Sequence, residues 1–573
     1  MPDASPQVDD ARSKPAEEAV ERAYAREPAA EGNPVWIHRV DRAIAVARAR
    51  DAGRRVREGA VLPLAGLPFA VKDNIDVAGL PTTAACPAFS YVPPRSATAV
   101  QKLLDAGAVC VGKTNLDQFA TGLSGARSPY GTCRNSVNPE YISGGSSSGS
   151  ALAVELGLAE FALGTDTAGS GRVPAAFNNL VGLKPTRGLV STSGVLPACR
   201  SLDCVSVFAR SAARALQVLE VMSGDDPADP YSRRGAPRGF GPGPLRVAVP
   251  APLEFFGDAE YERLFAAALE RLGGTRRAVD FAPFAAAQKL LYEGPWIAER
   301  TAQLEGFLDV HADEMHPVTR GIIASGRNWT AVDAFRAQYR LAALRREADA
   351  TWKDADVLAV PGAPTIYRIA EMEKDPVRLN SRLGLYTNFV NLLDLAAITV
   401  PAGFRGDGLP FGVTLIAPAF SDRALAALAA DFLGEAPIAA PMGEVKLAVL
   451  GAHLSGMPLN RQLTERSGTC ERAARTAPEY RLYDLADGRP GLVREPAGGA
   501  PIEVEVWRLS PAAFGSFVAQ VPAPLGIGTL ELEDGERVKG FLCEGYAVAG
   551  KKDITSYGGW RRYLDSDHQR RTS

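Results

Sequence analysis

Histidine is scarce in this chain. There are five in 573 residues, with no HExxH pair and no His/Cys cluster, so nothing is spaced to hold a catalytic metal. The seven cysteines, Cys86, Cys110, Cys133, Cys199, Cys204, Cys470 and Cys543, are odd in number and form no CxxC pair. That argues against both a disulfide framework and a zinc site. A dominant charge sign is also missing: 63 Lys and Arg face 66 Asp and Glu, leaving −3. No net basic field therefore invites nucleic acid or an anionic membrane. No run of about 18 apolar residues would span a bilayer. The first 33 residues, charged and rich in Ala and Pro, lack the apolar stretch of a signal peptide. Internal repeats and coiled-coil heptads are absent as well. Together these absences lead us to expect a cytoplasmic enzyme with no metal and no cofactor.

Apolar mass is plentiful. Hydrophobic residues make up 46% and charged residues 23%, enough to build a large core, and the length predicts one large domain with at least one smaller. From about residue 60 to 440, short Val/Ile/Ala-rich runs alternate with amphipathic helical stretches, as in PFAVKDNI, SATAVQKLLDAG, AVCVG and NLDQFATG. Such alternation predicts an α/β domain with helices over a largely buried sheet. The expected division is a flexible lead over 1–33 that includes a short surface helix, a main domain over 34–435, a Gly/Pro-containing linker over 436–445, and a second domain over 446–573. Strand-like segments such as IEVEVWRLS and RVKGFLCEGYAV give that second domain an α+β texture.

One segment imitates a phosphate-binding loop. GAVCVGKT, residues 107–114, satisfies G-x4-G-K-[ST]. A true phosphate loop follows a strand, leads a helix and has a polar or glycine-rich centre. Here a helical pattern precedes the match and the centre, AVCV, is a buried-strand sequence. We expect a helix, a turn and a strand ending in a surface lysine.

The chemistry lies in GGSSSGSALAVELGLAEFALGTDTAGSGRVPAAFNNLVGLKPTRG, residues 144–188. Two Gly/Ser clusters flank a helix and a short strand. Helix starts and glycine-rich turns present free backbone N–H groups, the donors an oxyanion needs. A serine at such a turn becomes a nucleophile when a base lies within hydrogen-bonding reach. No histidine lies near, so a Ser-His-Asp arrangement is disfavoured. A lysine remains, kept neutral by burial or by neighbouring donors.

This stretch resembles the amidase signature family, whose pattern is a GGSSSGS cluster, then GTDTGGSxRxPA, then GLKPT. Lys72 in PFAVKDNID and GKTN at 112–115 match further motifs, and the resemblance covers roughly residues 30–435. It implies a mixed central sheet covered by helices. It also implies Ser170 as nucleophile, Ser146 as a bridging serine after a cis peptide bond, and Lys72 as base. The serines stand 170 − 146 = 24 residues apart, as the pattern requires. The oxyanion donors are implied to be the backbone N–H groups of Thr167, Ala168, Gly169 and Ser170. Ala168 replaces a more common glycine and Gly171 a β-branched residue, changes expected to widen or soften the loop. Ser147, Ser148 and Ser150 read as helix caps, Asp166 and Arg172 as an ion-paired brace, and Lys184 as structural.

Within that family, LLYEGPWIAER at 290–300 resembles the allophanate hydrolases, which implies that Tyr292 and Arg300 hold substrate. Allophanate is a small urea-like amide bearing a carboxylate, so its site needs a cation with planar donors. The eight-residue spacing places both side chains on one face of a helix, two turns apart, with Gly294-Pro295 in its first turn. LAVLGAHLSGMPLNRQL, residues 447–463, resembles the start of the extra domain of those enzymes, which is related to γ-glutamylcyclotransferase-like folds. That domain's implied activity is breakdown of N-carboxycarbamate, and His453 matches the histidine implicated there. The resemblance further implies a link to urea carboxylase or to a cyanuric acid or biuret pathway, and a homodimer. Three other readings stay open: an amidase for a different small amide, an amidase-like subunit of a tRNA-dependent amidotransferase, which the charge of −3 disfavours, and a second domain that is only a scaffold.

Overall fold

The computed structural model describes residues 14–240, 243–438, 445–466, 468–509 and 511–572. Contacts divide the chain into two compact units, residues 1–440 and 441–573.

Eleven strands form the sheet of the first unit: β1 (Trp36–Arg39), β2 (Pro68–Lys72), β3 (Val109–Thr114), β4 (Phe161–Asp166), β5 (Val181–Lys184), β6 (Cys204–Ala209), β7 (Arg246–Ala251), β8 (Thr275–Asp280), β9 (Val357–Pro361), β10 (Leu395–Phe404) and β11 (Pro410–Pro418). Their order is β1-β3-β2-β4-β6-β5-β10-β11-β9-β7-β8. The sheet is mixed, as expected: β3, β2 and β4 run parallel, β4 through β5, β10 and β11 to β9 pair antiparallel, and β9, β7 and β8 are parallel again. The central strands are apolar because both of their faces are covered. On β4, Phe161 and Leu163 pack with Val205, Val207 and the helix Ala212–Met222. Ala162, pointing the other way, packs with Phe208 and with Ala151, Leu152 and Val154 of the helix Ser148–Glu155.

The short helix expected in the lead is present. Lys14–Ala25 is helical, and Ala16, Ala19, Val20 and Ala23, at i, i+3, i+4 and i+7, form its buried stripe; residues 1–13 lie outside the description. The phosphate-loop imitation is the expected helix, turn and strand, with one correction. Lys113 is fully buried rather than on the surface. It is the penultimate residue of an interior strand, and its charge is met by Asp73 at 2.9 Å, Thr82 Oγ1 at 3.0 Å and the Pro81 carbonyl at 3.1 Å.

Most of the linker expected at 436–445 lies outside the described residues. The second unit carries β12 (Val445–Val449), β13 (Thr469–Arg475), β14 (Tyr480–Asp484), β15 (Pro490–Arg494), β16 (Glu503–Leu509), β17 (Leu525–Glu531), β18 (Arg537–Cys543) and β19 (Lys552–Asp553). They form a five-stranded sheet, β13-β16-β12-β18-β17, and a three-stranded one, β15-β14-β19. Alternate residues such as Val504 and Val506 join Leu447, Leu530, Phe541 and Trp560 in its own core.

Candidate active site

Three side chains converge where β2, β4 and the two Gly/Ser turns meet. Lys72 ends β2 with its ammonium-bearing tip inside the protein, 2.7 Å from Ser146 Oγ and 2.8 Å from Thr165 Oγ1. Ser146 Oγ in turn lies 2.8 Å from Ser170 Oγ. All three residues are buried. Burial, only partly opposed by the field of Asp117, Asp203 and Asp166, brings the Lys72 amine down to about 7, where an appreciable fraction is a neutral base. A neutral amine in contact with one hydroxyl, itself in contact with a second, can pass a proton along the row and leave the far oxygen nucleophilic.

The turn holding Ser146 is tight. Its Gly145–Ser146 peptide is cis, and a Cβ at Gly145 would come within 2.1 Å of Asp117 Oδ2 and 2.5 Å of the Gly125 nitrogen. Ser147 and Ser150 do not cap the helix as expected. Ser147 Oγ donates to the Thr165 carbonyl (3.2 Å) and Ser150 Oγ to that of Leu163 (2.9 Å), so both tie the helix to β4. Ser148 Oγ has no hydrogen-bond partner among the described residues.

The loop after β4 is braced by the ion pair foreseen from sequence: Arg172 donates to both oxygens of Asp166 at 2.8 and 2.9 Å, with both side chains fully buried. That carboxylate also accepts from the backbone of Gly169 at 2.8 Å and Gly171 at 3.0 Å. Gly169, expected among the oxyanion donors, is thus corrected: its N–H is turned to Asp166. None of the described hydrogen bonds uses the amides of Thr167, Ala168 or Ser170. Nor does Gly171 widen the loop, because a Cβ there would meet Ser206 at 2.6 Å. At Gly169, φ is +131° and a Cβ would meet Thr387 Oγ1 at 2.4 Å, so this position requires glycine.

Tyr292 and Arg300 come together, but not along one helix. The helix Ala282–Tyr292 ends at the tyrosine and a second, Trp296–His311, starts after Pro295; Gly294-Pro295 breaks the chain between two helices instead of starting a single one. Across this break Arg300 Nη2 donates to Tyr292 Oη at 3.3 Å, and Nη1 donates to Thr121 Oγ1 at 2.6 Å. Arg300 is 2% exposed. No described carboxylate forms an ion pair with it, although Asp203 lends it a distant field. A buried guanidinium held only by neutral partners is a ready receptor for a carboxylate.

Several residues of the site carry no motif visible in the sequence. Asp117 accepts from the backbone N–H of Ser124, Gly125 and Arg127, and its own N–H donates to the Ser146 carbonyl at 3.1 Å. Asp203, raised to about 6 by burial, accepts from Thr167 Oγ1 and adjoins a polar cavity of about 240 Å³. Thr387 and Asn391, more than 200 residues downstream, hold the carbonyls of Ala168 and Asp166. Of these, only Asp117, two residues past GKTN, lies close to a sequence motif. Lys184 is interior, donating to the Pro185 carbonyl at 2.5 Å, which suits its structural reading.

In the second unit His453 is packed between Phe517 and Phe541, with ring centroids 5.2 and 5.1 Å away. Its Nε2 pairs with Gln462 Oε1 at 3.1 Å. Burial lowers its pKa. It borders a largely apolar cavity of about 220 Å³ together with Leu450, Arg489 and the two phenylalanines. Among the described residues no group of acidic, Cys or His side chains is arranged to hold a metal, and no helix is long and apolar enough to cross a membrane.

Known proteins resemble this chain along most of its length. The family model "Amidase" matches residues 18–426, and "Allophanate hydrolase C-terminal domain" matches 445–565. The chain belongs to the amidase family. Several relatives align with both parts. The allophanate hydrolase of Kluyveromyces lactis is 42% identical and superposes with a TM-score of 0.71 over 97% of each chain. Urea amidolyases of Lachancea kluyveri and Saccharomyces cerevisiae are 46% and 44% identical across 88% of this chain. The chain spans about 30% of the length of those two curated relatives.

Proposed function

We propose that this chain hydrolyses allophanate, using Ser170 as nucleophile, Ser146 as proton bridge and Lys72 as base. Neutral Lys72 takes the Ser146 proton as Ser146 takes that of Ser170, and Ser170 Oγ attacks the terminal amide carbonyl. The tetrahedral oxyanion is met by the unengaged N–H groups of Thr167, Ala168 and Ser170. As the intermediate collapses, the proton returns through Ser146 to the leaving nitrogen and ammonia departs. Water, activated by the same row, then cleaves the acyl-enzyme and releases N-carboxycarbamate.

The observation that carries the choice of substrate is Arg300, a cation 2% exposed with no ion-pair partner among the described residues. With Tyr292 beside it, it suits the carboxylate end of allophanate; a neutral amide would leave that charge uncompensated. The second unit, through His453 and its cavity, assists further breakdown to ammonia and carbon dioxide. The chain works as a cytoplasmic homodimer, and a urea carboxylase, or a cyanuric acid or biuret pathway, supplies its substrate.

The test is ammonia release from allophanate by the wild type and by Ser170→Ala. Loss of about 10⁴-fold or more in the variant is expected for a nucleophile; retained turnover would overturn the mechanism.

A further inference from the structure

The donors that face an oxyanion are backbone amides, and an amide points where its peptide plane is held. The Asp166–Thr167 peptide is not among the cis bonds of the chain. In a trans peptide the carbonyl and the following N–H point in opposite directions. The Asp166 carbonyl accepts from Asn391 Nδ2 at 2.7 Å, so the Thr167 N–H is turned away from Asn391.

We propose that Asn391 is a positioning residue for the reaction, gripping the Asp166 carbonyl from behind so that the Thr167 N–H faces the oxyanion. This rests on the reading of Ser170 as nucleophile. Asn391 lies on the short helix Phe389–Leu392, 225 residues along the chain from Asp166. Its second amide hydrogen goes to the Leu202 carbonyl at 2.8 Å. Leu202 precedes Asp203, which accepts from the Thr167 hydroxyl. One side-chain amide thus holds the peptide of Thr167 directly and the chain beside its hydroxyl partner.

Two further observations favour positioning over packing. Asn391 is fully buried, as are its chain neighbours Phe389, Val390 and Leu392, yet its Oδ1 has no partner among the described residues. A leucine would fill such a place without burying an unsatisfied oxygen, so what the asparagine adds is its pair of donors. Thr387 offers the contrast. Its hydroxyl holds the neighbouring Ala168 carbonyl at 2.6 Å, but the N–H of that peptide belongs to Gly169 and is spent on Asp166.

Asn391→Leu is the variant to make, with kcat and KM measured for ammonia release from allophanate. Loss of an aligned oxyanion donor predicts kcat down about 100-fold with KM within about threefold. It also predicts about 100-fold weaker inhibition by a small alkylboronic acid, whose tetrahedral serine adduct places an oxygen in the oxyanion position. A general disturbance of the fold would raise KM or lower the melting temperature without selectively weakening the boronic acid. Asn391→Ser, which keeps one donor, is expected to fall between the two, and is read alone if the leucine variant does not fold. Wild-type kcat in either folded variant, or a kcat loss with unchanged boronic acid inhibition, would overturn the proposal. If Ser170→Ala is inactive while Asn391→Leu turns over normally, only the role of Asn391 fails. If Ser170→Ala is active, the nucleophile itself is misassigned.

Discussion

Lys72 Nζ and Ser146 Oγ stand 2.7 Å apart across 74 residues of sequence, and no carboxylate forms an ion pair with the amine among the described residues. Both of its hydrogen-bond partners among the described residues are hydroxyls, the second being Thr165 Oγ1 at 2.8 Å. Burial without an ion-paired anion brings the amine down to about 7, so under the proposed mechanism its titration governs the reaction.

The pH profile follows from that burial. Only neutral Lys72 accepts a proton, so kcat/KM should rise as pH climbs through about 7 and level off above it. Ammonia release measured from about pH 5.5 to 9.5 checks this; an acid limb near the ordinary lysine value would show that the amine is not desolvated. Stability responds to the same group. Its folded pKa lies below the unfolded 10.5, so the unfolded chain holds the extra proton between about 7 and 10.5, and stability rises with pH across that window. Lys72→Met removes this penalty. We expect it to be inactive yet to melt a few degrees higher than the wild type near pH 8.

Arg300→Met should cost about 100-fold or more in kcat/KM for allophanate while hydrolysis of a small neutral amide survives. Arg300→Lys should not restore it, since one ammonium cannot reach both Thr121 and Tyr292 and also offer a planar fork. Parallel assays on the two amides decide; equal loss on both would remove the carboxylate from the explanation.

Arg172→Leu strands the Asp166 carboxylate in the interior, and a loss of about 3–5 kcal/mol is expected from the urea midpoint. Burial alone would raise the Asp166 carboxyl, but the charge and hydrogen bonds of Arg172 hold it below its usual 3.8. The stability it contributes is therefore full above that value and disappears as pH falls through the lower folded one. The double variant Asp166→Asn, Arg172→Leu should recover part of the loss; no recovery would mean that the carboxylate charge is not the cause.

His453→Leu should leave the first ammonia release from allophanate unchanged and slow the disappearance of N-carboxycarbamate, followed by carbon-13 NMR, to its rate in buffer. An unchanged rate of disappearance would make the ring a packing element between Phe517 and Phe541.

Contiguous motifs were legible because their chemistry is local. The Gly/Ser clusters around Ser146 and Ser170, the lysine in PFAVKDNID and the Asp166/Arg172 brace each lie within a short stretch whose composition announces a turn, a strand end or a cap. A backbone plane or a contact across a helix break is set by neighbours distant in sequence and leaves no local mark. The eight-residue spacing of Tyr292 and Arg300 suggested a single helix, whereas the two side chains meet across the gap left by Gly294-Pro295. Gly169 stands in the donor loop, but its N–H is held by Asp166. Nothing near residues 387–391 marked them as supports for a loop more than 200 residues earlier.

By itself, then, the sequence determined which residue types stand at which spacing: a lysine, two serines 24 residues apart, a loop rich in glycine, and an arginine eight residues after a tyrosine. Tertiary structure alone decided how that chemistry is set. Burial without an ion-paired carboxylate among the described residues brings Lys72 toward neutrality, and none of those residues pairs a carboxylate with Arg300. Thr387, Asn391 and Asp203 orient the loop after β4. These are properties of what surrounds a group in space, set by desolvation and hydrogen-bond direction, and residues distant along the chain supply them.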